Sequence, residues 1–157
     1  MGFPERVYTG KELDAAKSLV DQGYRHQLAV DGKPEFIQKV EKAIEYIKTA
    51  GYYDYLQTYI KFITEIDGMT QLRQSEVAIW ANKFAVGNPV DAASLFIQKA
   101  YSMQEYLEGK LYYGGAAEKR SIAKRIEFLQ TLKEKTTDES VKEECARLLG
   151  LWHDSSL

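Results

Sequence analysis

The spacing of the apolar residues constrains the fold of this chain more than any other feature of its sequence. Apolar side chains recur three or four positions apart along most of its length, which is the period of an α-helix buried on one side. Residues 52–66 show this most clearly. Projected as a helix, their polar residues fall within about 120° of one another and their apolar residues lie opposite. No segment shows the period of two that is typical of a strand.

Seven such stripes predict an all-α fold, an antiparallel bundle of six to seven helices in one domain over residues 1–157. The first stripe continues to Leu28 and therefore places Gly23 inside a helix. The fourth stripe predicts a helix over residues 70–84. The linkers between the stripes are short, as is typical of antiparallel neighbours in a bundle.

Glycine, proline and capping residues mark the predicted helix ends. Glycines separate most of the stripes, and glycine is favoured just after a helix because it adopts left-handed backbone angles easily. Pro34 and Pro89 stand where a new stripe begins, at the first helical position. Two segments are typical of capping boxes: Thr9-Gly10-Lys11-Glu12 and Thr136-Thr137-Asp138-Glu139.

Composition excludes several classes of protein. Among the 157 residues, 45% are hydrophobic and 28% are charged, which is ordinary for a globular domain rather than a disordered chain. The net charge of −2 gives no overall attraction to nucleic acid or anionic lipid. No apolar run is long enough for a membrane helix, and the first residues do not form a secretory signal. With its single cysteine, Cys145, the chain is expected to be cytoplasmic.

Two segments of the chain show a weak internal similarity. Gly51 and Gly87 lie 36 residues apart, and each glycine is followed by apolar residues at the fifth and ninth positions after it. This spacing is near the period of tetratricopeptide repeats. The segment AGYYDYLQTYIKFI resembles the second helix of such a unit. The resemblance implies a protein-binding scaffold, which is one alternative function.

A second resemblance covers much of the chain. The opening FPERVYTGKELDAAKSLVDQGY, together with GYYDYLQTYIKFI, is similar to a small archaeal family of all-helical proteins without an assigned function. It implies a helical bundle and supplies no catalytic or binding residue.

Metal and catalytic motifs are missing from the sequence. A di-iron or di-manganese bundle needs Glu-x-x-His pairs, but residues three before His26 and His153 are glycines. We therefore predict no metal, no cofactor and no catalytic residues, and both histidines are expected at the surface. Cys145 lies on an apolar stripe between Val141 and Leu148, so a buried thiol is expected.

The strongest candidate for ligand binding is the segment KLYYGGAAEKR. Its glycine pair opens into a helix whose free N–H groups and positive dipole end could hold a phosphate or carboxylate. Basic side chains would add charge and tyrosines would stack on a planar ring, although Glu118 in the first turn opposes an anion. The predicted binding residues are Lys110, Tyr112, Tyr113, Gly114, Gly115, Lys119 and Arg120.

The tyrosines in residues 52–59 predict an aromatic surface for a protein partner or a second copy of the chain. Residues 70–84 and 89–107 resemble a helix-turn-helix in outline. The second helix carries few basic residues, so nucleic acid is not an expected partner. These observations favour a non-enzymatic binding or assembly module that forms homo-oligomers. The alternative is a small-molecule or phosphate-binding protein, with or without enzyme activity, that uses residues 112–120.

Overall fold

Four short strands form a mixed sheet within a chain that is otherwise mostly helical. The computed structural model describes residues 2–155. Within that range six helices account for most of the chain, which is 61% helical. The helices are α1 (Gly10–Asp21), α2 (Pro34–Thr49), α3 (Tyr53–Tyr59), α4 (Pro89–Leu107), α5 (Gly115–Lys135) and α6 (Glu139–Ser155). The all-α prediction is therefore wrong, because the sheet places the protein in an α/β class.

The strands lie in the order β1 (Ala29–Asp31), β2 (Phe62–Glu65), β4 (Ala78–Ala81) and β3 (Gln71–Arg73). β1, β2 and β4 run parallel, and β3 pairs antiparallel with β4 at one edge. Val30, Ile63 and Ile79 occupy neighbouring positions on the three parallel strands. Ile63 and Ile79 are fully buried and belong to the main core. α2 and α4 pack beside the sheet, and α4 also contacts α3, α5 and α6.

The segment that gave the clearest helical pattern is only half helical. α3 ends at Tyr59, and Ile60 has the extended angles φ −127° and ψ 126°. The Lys61 N–H donates to the Val77 carbonyl at 2.7 Å, and Ile63 then pairs with both neighbouring strands. Pairing with strands distant in sequence overrides the local pattern, which gives no information about such partners. The long helix required by the tetratricopeptide resemblance is therefore not formed.

Two further helix predictions are wrong. Residues 70–84 form β3, a 3₁₀ turn at Gln74–Glu76 and β4, with Val77 in a left-handed conformation between them. The first helix of the helix-turn-helix outline is thus replaced by an antiparallel strand pair. In addition, α1 ends at Asp21, and Gly23 follows it with φ +88° instead of lying inside a helix.

Most predicted helix starts are confirmed. Thr9 and Glu12 form both reciprocal bonds of a capping box at α1. Asn88 accepts from two N–H groups at the start of α4, and Pro34 and Pro89 occupy first-turn positions. At α6 the cap is Asp138, whose Oδ1 accepts the Ser140 N–H at 2.9 Å, so the predicted box was placed two residues too early. Across residues 2–155, none of the helices has the length and apolar character needed to cross a membrane.

Candidate functional site

A cavity of about 300 Å³ lies at the carboxyl ends of the parallel strands. Because β1, β2 and β4 run in the same direction, the segments that follow them meet at one edge of the sheet, where open α/β sheets bind ligands. The lining comes from the start of α2, the end of β2 and the loop between β4 and α4. Its residues are Lys33, Glu35, Phe36, Lys39, Glu65, Lys83, Phe84, Val86 and Gly87. We call it the carboxyl-edge cavity.

A tight turn at Gly32 joins β1 to α2 and shapes one wall of this cavity. A Cβ atom on Gly32 would lie 2.8 Å from both Glu65 Cβ and Phe36 Cδ2, so only glycine fits without displacement. The close approach lets Glu65 Oε1 accept the Lys33 N–H at 2.8 Å. The end of β2 and the start of α2 are therefore held together by a hydrogen bond that spans 32 residues of sequence.

The amino end of α2 faces the same region. Lys33 is its N-cap and Pro34 its first residue, and no side chain caps the first turn. Uncapped N–H groups and the positive end of the helix dipole favour an anion at such a position. Two negative side chains oppose it, since Glu35 lies in the first turn and Glu65 accepts the Lys33 N–H.

The charged side chains of the cavity are not paired with each other. Among the described residues, Lys33, Lys39, Lys83, Glu35 and Glu65 form no ion pair within 4.0 Å. The Lys83 ammonium instead lies 5.2 Å from the centroid of the neighbouring Phe84 ring, and that ring is 81% exposed. The cavity thus offers three lysines and an apolar rim to a bound molecule.

At the ligand site predicted from the sequence, basic side chains that were expected to face a ligand bind groups of the protein itself. Arg120 Nε donates to the buried carboxylate of Glu105 at 2.7 Å, and its Nη2 donates to the Leu111 carbonyl at 3.0 Å. The Lys110 ammonium lies 3.3 Å from Glu108. Two of the three basic groups in the predicted site are therefore already engaged within the chain.

The remaining predicted residues lie around the start of α5. The Tyr112 ring packs between Tyr106 and Tyr113, with centroid distances of 5.3 Å and 5.2 Å. Gly114, with φ +90°, precedes the helix without a side-chain cap, and Gly115 and Lys119 are exposed. The structure brings the tyrosines together but turns Arg120 toward Glu105. Ligand binding at this segment stays a prediction.

The histidine prediction is half wrong, and the cysteine prediction is confirmed. His26 is only 2% exposed, against the rings of Phe3 and Tyr24, and burial, with a smaller contribution from Lys61, lowers its pKa to about 4. His153 is exposed. Cys145 is fully buried, and this burial raises the pKa of its thiol to about 11. No group of three or more His, Cys, Asp or Glu residues that could hold a metal ion occurs in the described part of the chain.

Two of the four tyrosines in the predicted surface bind the protein's own helices. The Tyr52 hydroxyl donates to Glu127 at 2.5 Å, and the Tyr55 hydroxyl donates to Gln104 at 2.6 Å. Burial, reinforced by the bond to Glu127, raises the pKa of Tyr52 to about 12. These contacts bind Tyr52 to α5 and Tyr55 to α4, whereas Tyr53 is half-buried and lies near Lys48 instead.

The residues of the carboxyl-edge cavity were missed because the strands were missed. The available signal was the short run of Phe62, Ile63 and Thr64 before Glu65, which is rich in strand-forming residues. Read as a strand, it would have placed Glu65 at a carboxyl edge. Compared with protein families, curated proteins and solved structures, the chain matches none of them. The archaeal resemblance stays a prediction.

Proposed function

We propose that this protein binds a small molecule carrying a phosphate or carboxylate group in the carboxyl-edge cavity. The observation that carries this proposal is the arrival of three lysines, unpaired within the described residues, at one cavity beside the uncapped start of α2. Lys33 precedes that helix, Lys39 lies in its second turn, and Lys83 comes from the loop after β4. Charge-assisted hydrogen bonds from lysine to such oxygens are among the stronger polar interactions in proteins.

The charge balance of the cavity supports an anionic ligand. Its three lysines and two glutamates leave one excess positive charge, whereas the whole chain carries −2. The positive end of α2 adds to the attraction. Glu65 uses Oε1 for the Lys33 N–H, which leaves Oε2 to accept from a hydroxyl or amine of the same ligand.

The size of the cavity limits the class of ligand. At about 300 Å³ it lies at the small end of ligand pockets, so a single phosphorylated sugar or a small organic acid fits better than a dinucleotide. Phe36 and Phe84 supply apolar contact for the body of such a molecule. No step of chemistry is needed for this role, and we propose a non-enzymatic binding module.

We also propose a cytoplasmic location, since the single cysteine is buried as a free thiol. The sequence predicts a binding module, and we propose a small anion as one of the molecules that it binds. The protein partner that the sequence also predicts requires a separate surface, and the free edge of β1 offers one.

Binding is tested by calorimetry with inorganic phosphate, phosphorylated monosaccharides and small dicarboxylates. We expect Lys39→Ala and Lys83→Ala each to weaken the affinity about tenfold, the effect of losing one charge-assisted bond. Glu65→Gln should strengthen the binding of inorganic phosphate, because it removes a negative charge while keeping an acceptor for the Lys33 N–H. The control is Lys17→Ala on α1, an exposed lysine outside the cavity.

A wild-type protein that binds none of these compounds would refute the proposal. So would equal affinities in the cavity variants and in the Lys17→Ala control. Affinity that falls as salt is raised from low to physiological concentration would be consistent with lysine contacts, since exposed charges are screened.

A further inference from the structure

The outer edge of β1 presents backbone groups that nothing else in the described structure binds. β1 pairs only with β2, and the Ala29 N–H points that way, donating to the Lys61 carbonyl at 3.0 Å. In a parallel strand both polar groups of one residue point to the same side and those of the next residue to the other. The N–H and carbonyl of Val30 therefore point away from the sheet.

A groove of about 440 Å³ runs beside this edge, between β1 and α2. Its apolar walls are half-buried side chains: Leu28, Val30, Ile37, Ile44 and Tyr53. Ile37 and Ile44 are seven residues apart on a helix, which separates them by about 10 Å. Three residues of extended chain cover about the same length, so the groove matches a short strand lying along β1.

The rim of the groove is acidic. Glu41 on α2 is exposed and forms no ion pair within the described residues. Glu45 is already held by Lys42 at 3.1 Å, and the Lys48 ammonium lies 4.6 Å from the Tyr53 ring. The two glutamates and one lysine of the groove leave one excess negative charge, and Glu41 is the glutamate without an ion pair, which favours a basic side chain near Glu41 on whatever lies in the groove.

We propose that a partner protein inserts an extended segment at this edge as an additional strand of the sheet. The segment carries apolar residues at alternate positions, which enter the groove, and a lysine or arginine beside them, which reaches Glu41. Val30 supplies the main-chain hydrogen bonds, as in other cases of strand addition. The proposal uses none of the cavity residues and does not depend on anion binding.

The two edges of the sheet differ in a way that supports this choice. Native sheets commonly protect their edges with charged side chains. At the other edge, the Arg73 guanidinium lies 4.3 Å from the centroid of the Trp80 ring. β1 has no proline, and its one charged residue, Asp31, lies on the opposite face of the sheet from the groove, because side chains alternate along a strand.

The probe is the seven-residue peptide Lys-Thr-Val-Thr-Val-Thr-Lys. Its binding is measured by amide NMR of the protein and by fluorescence anisotropy of the peptide. Two further peptides carry N-methyl groups on the odd or on the even positions. We expect the Val30 amide to shift and to exchange more slowly with solvent when the peptide binds. One N-methylated peptide should lose binding while the other retains it, because alternate residues bond to β1.

Glu41→Lys should weaken peptide binding at least fivefold, and the control Glu143→Lys on α6, also an exposed helix position, should leave it unchanged. Both residues lie on the surface, so the fold is preserved in each variant. Three results would overturn the proposal: no change of the Val30 amide at millimolar peptide, equal binding of both N-methylated peptides, or equal affinities of the two variants. A Val30 shift that depends on protein concentration without peptide would instead identify a second copy as the occupant and would also overturn it.

Discussion

A buried arginine joins α4, α5 and α6 and allows a prediction about stability to be worked out from its contacts. The Arg125 guanidinium donates to Asp91 Oδ1 at 2.7 Å, Ser94 Oγ at 2.8 Å and Gln98 Oε1 at 2.8 Å. Its central carbon also lies 4.4 Å from the ring centroid of Trp152. Arg125 is only 6% exposed, and burial lowers its pKa although Asp91 favours the charged form.

The two partners of this ion pair should not be equally costly to remove. Asp91→Ala leaves a buried guanidinium without a counter-ion, which costs 3–5 kcal/mol in comparable cases. Because the Asp91 side chain is 36% exposed, water screens part of this charge, and we expect the low end, about 3 kcal/mol. Arg125→Met leaves Asp91 able to reach water and keeps an apolar contact with Trp152. Its cost should be about 1–2 kcal/mol.

Urea denaturation of the two single variants and the double variant measures this asymmetry. Because the double variant keeps no buried charge, it should lose about as much free energy of unfolding as Arg125→Met alone. The summed costs of the two single variants should therefore exceed the cost of the double variant by about 3 kcal/mol. Lys42→Ala, which breaks an exposed pair with Glu45, is the control and should leave the free energy of unfolding close to that of the wild type. Equal costs for the two single variants, or an additive double variant, would refute this reasoning.

Three further predictions concern single buried or close-packed positions. The unfolded chain protonates His26 near pH 6.5 and the folded chain only near pH 4. The free energy of unfolding should therefore fall by up to about 3 kcal/mol as the pH is lowered between these values, and less so in His26→Gln. Cys145 should react slowly with a thiol reagent in the native protein and quickly in urea, because its thiol is fully buried; equal rates would contradict this. Gly32→Ala should destabilise by about 1–3 kcal/mol in thermal unfolding because its Cβ would collide with two side-chain carbons. The control Gly150→Ala, in open space within α6, should instead stabilise by up to about 1 kcal/mol.

The helix ends were predictable because their signals are local. The capping box at Thr9 and the prolines Pro34 and Pro89 at the first helical positions act within four residues, and each is found where the sequence predicts it. The exception at α6 is instructive. Both Thr136 and Asp138 are good caps, and sequence alone does not decide which one the helix uses.

The strands were not predictable from the same kind of signal. A strand of three or four residues shows at most two positions on each face, too few to separate a period of two from a period of 3.6. Ile63 and Ile79 fit either pattern, and what makes them strand residues is their pairing across the sheet. Ile63 and Ile79 are 16 positions apart and pair directly. The strand between them in sequence, Gln71–Arg73, pairs with the other side of β4, and its own sequence gives little indication of this arrangement.

The two candidate anion sites, at the starts of α2 and α5, share the same features but differ in whether their basic side chains are free. Both place lysines near a helix whose first turn lacks a side-chain cap. At α5 the elements are neighbours in sequence and are therefore visible in it, but Arg120 is bound by the buried carboxylate of Glu105, whose proximity no local pattern indicates. At α2 the elements come together only through the sheet, since Glu65 and Lys83 follow different strands.

This contrast explains why local reasoning selected the less available of the two sites. A glycine-rich loop before a helix is visible in sequence, whereas a cavity between strand ends becomes visible only after the strands are ordered. The carboxyl-edge cavity also keeps its lysines free of ion pairs within the described residues, while Lys110 and Arg120 at the other site each have a carboxylate partner. A ligand at α5 would have to break those pairs, and part of its binding energy would be lost to that exchange. A ligand at α2 meets lysines with no such partner, which is why the anion is assigned to the edge of the sheet.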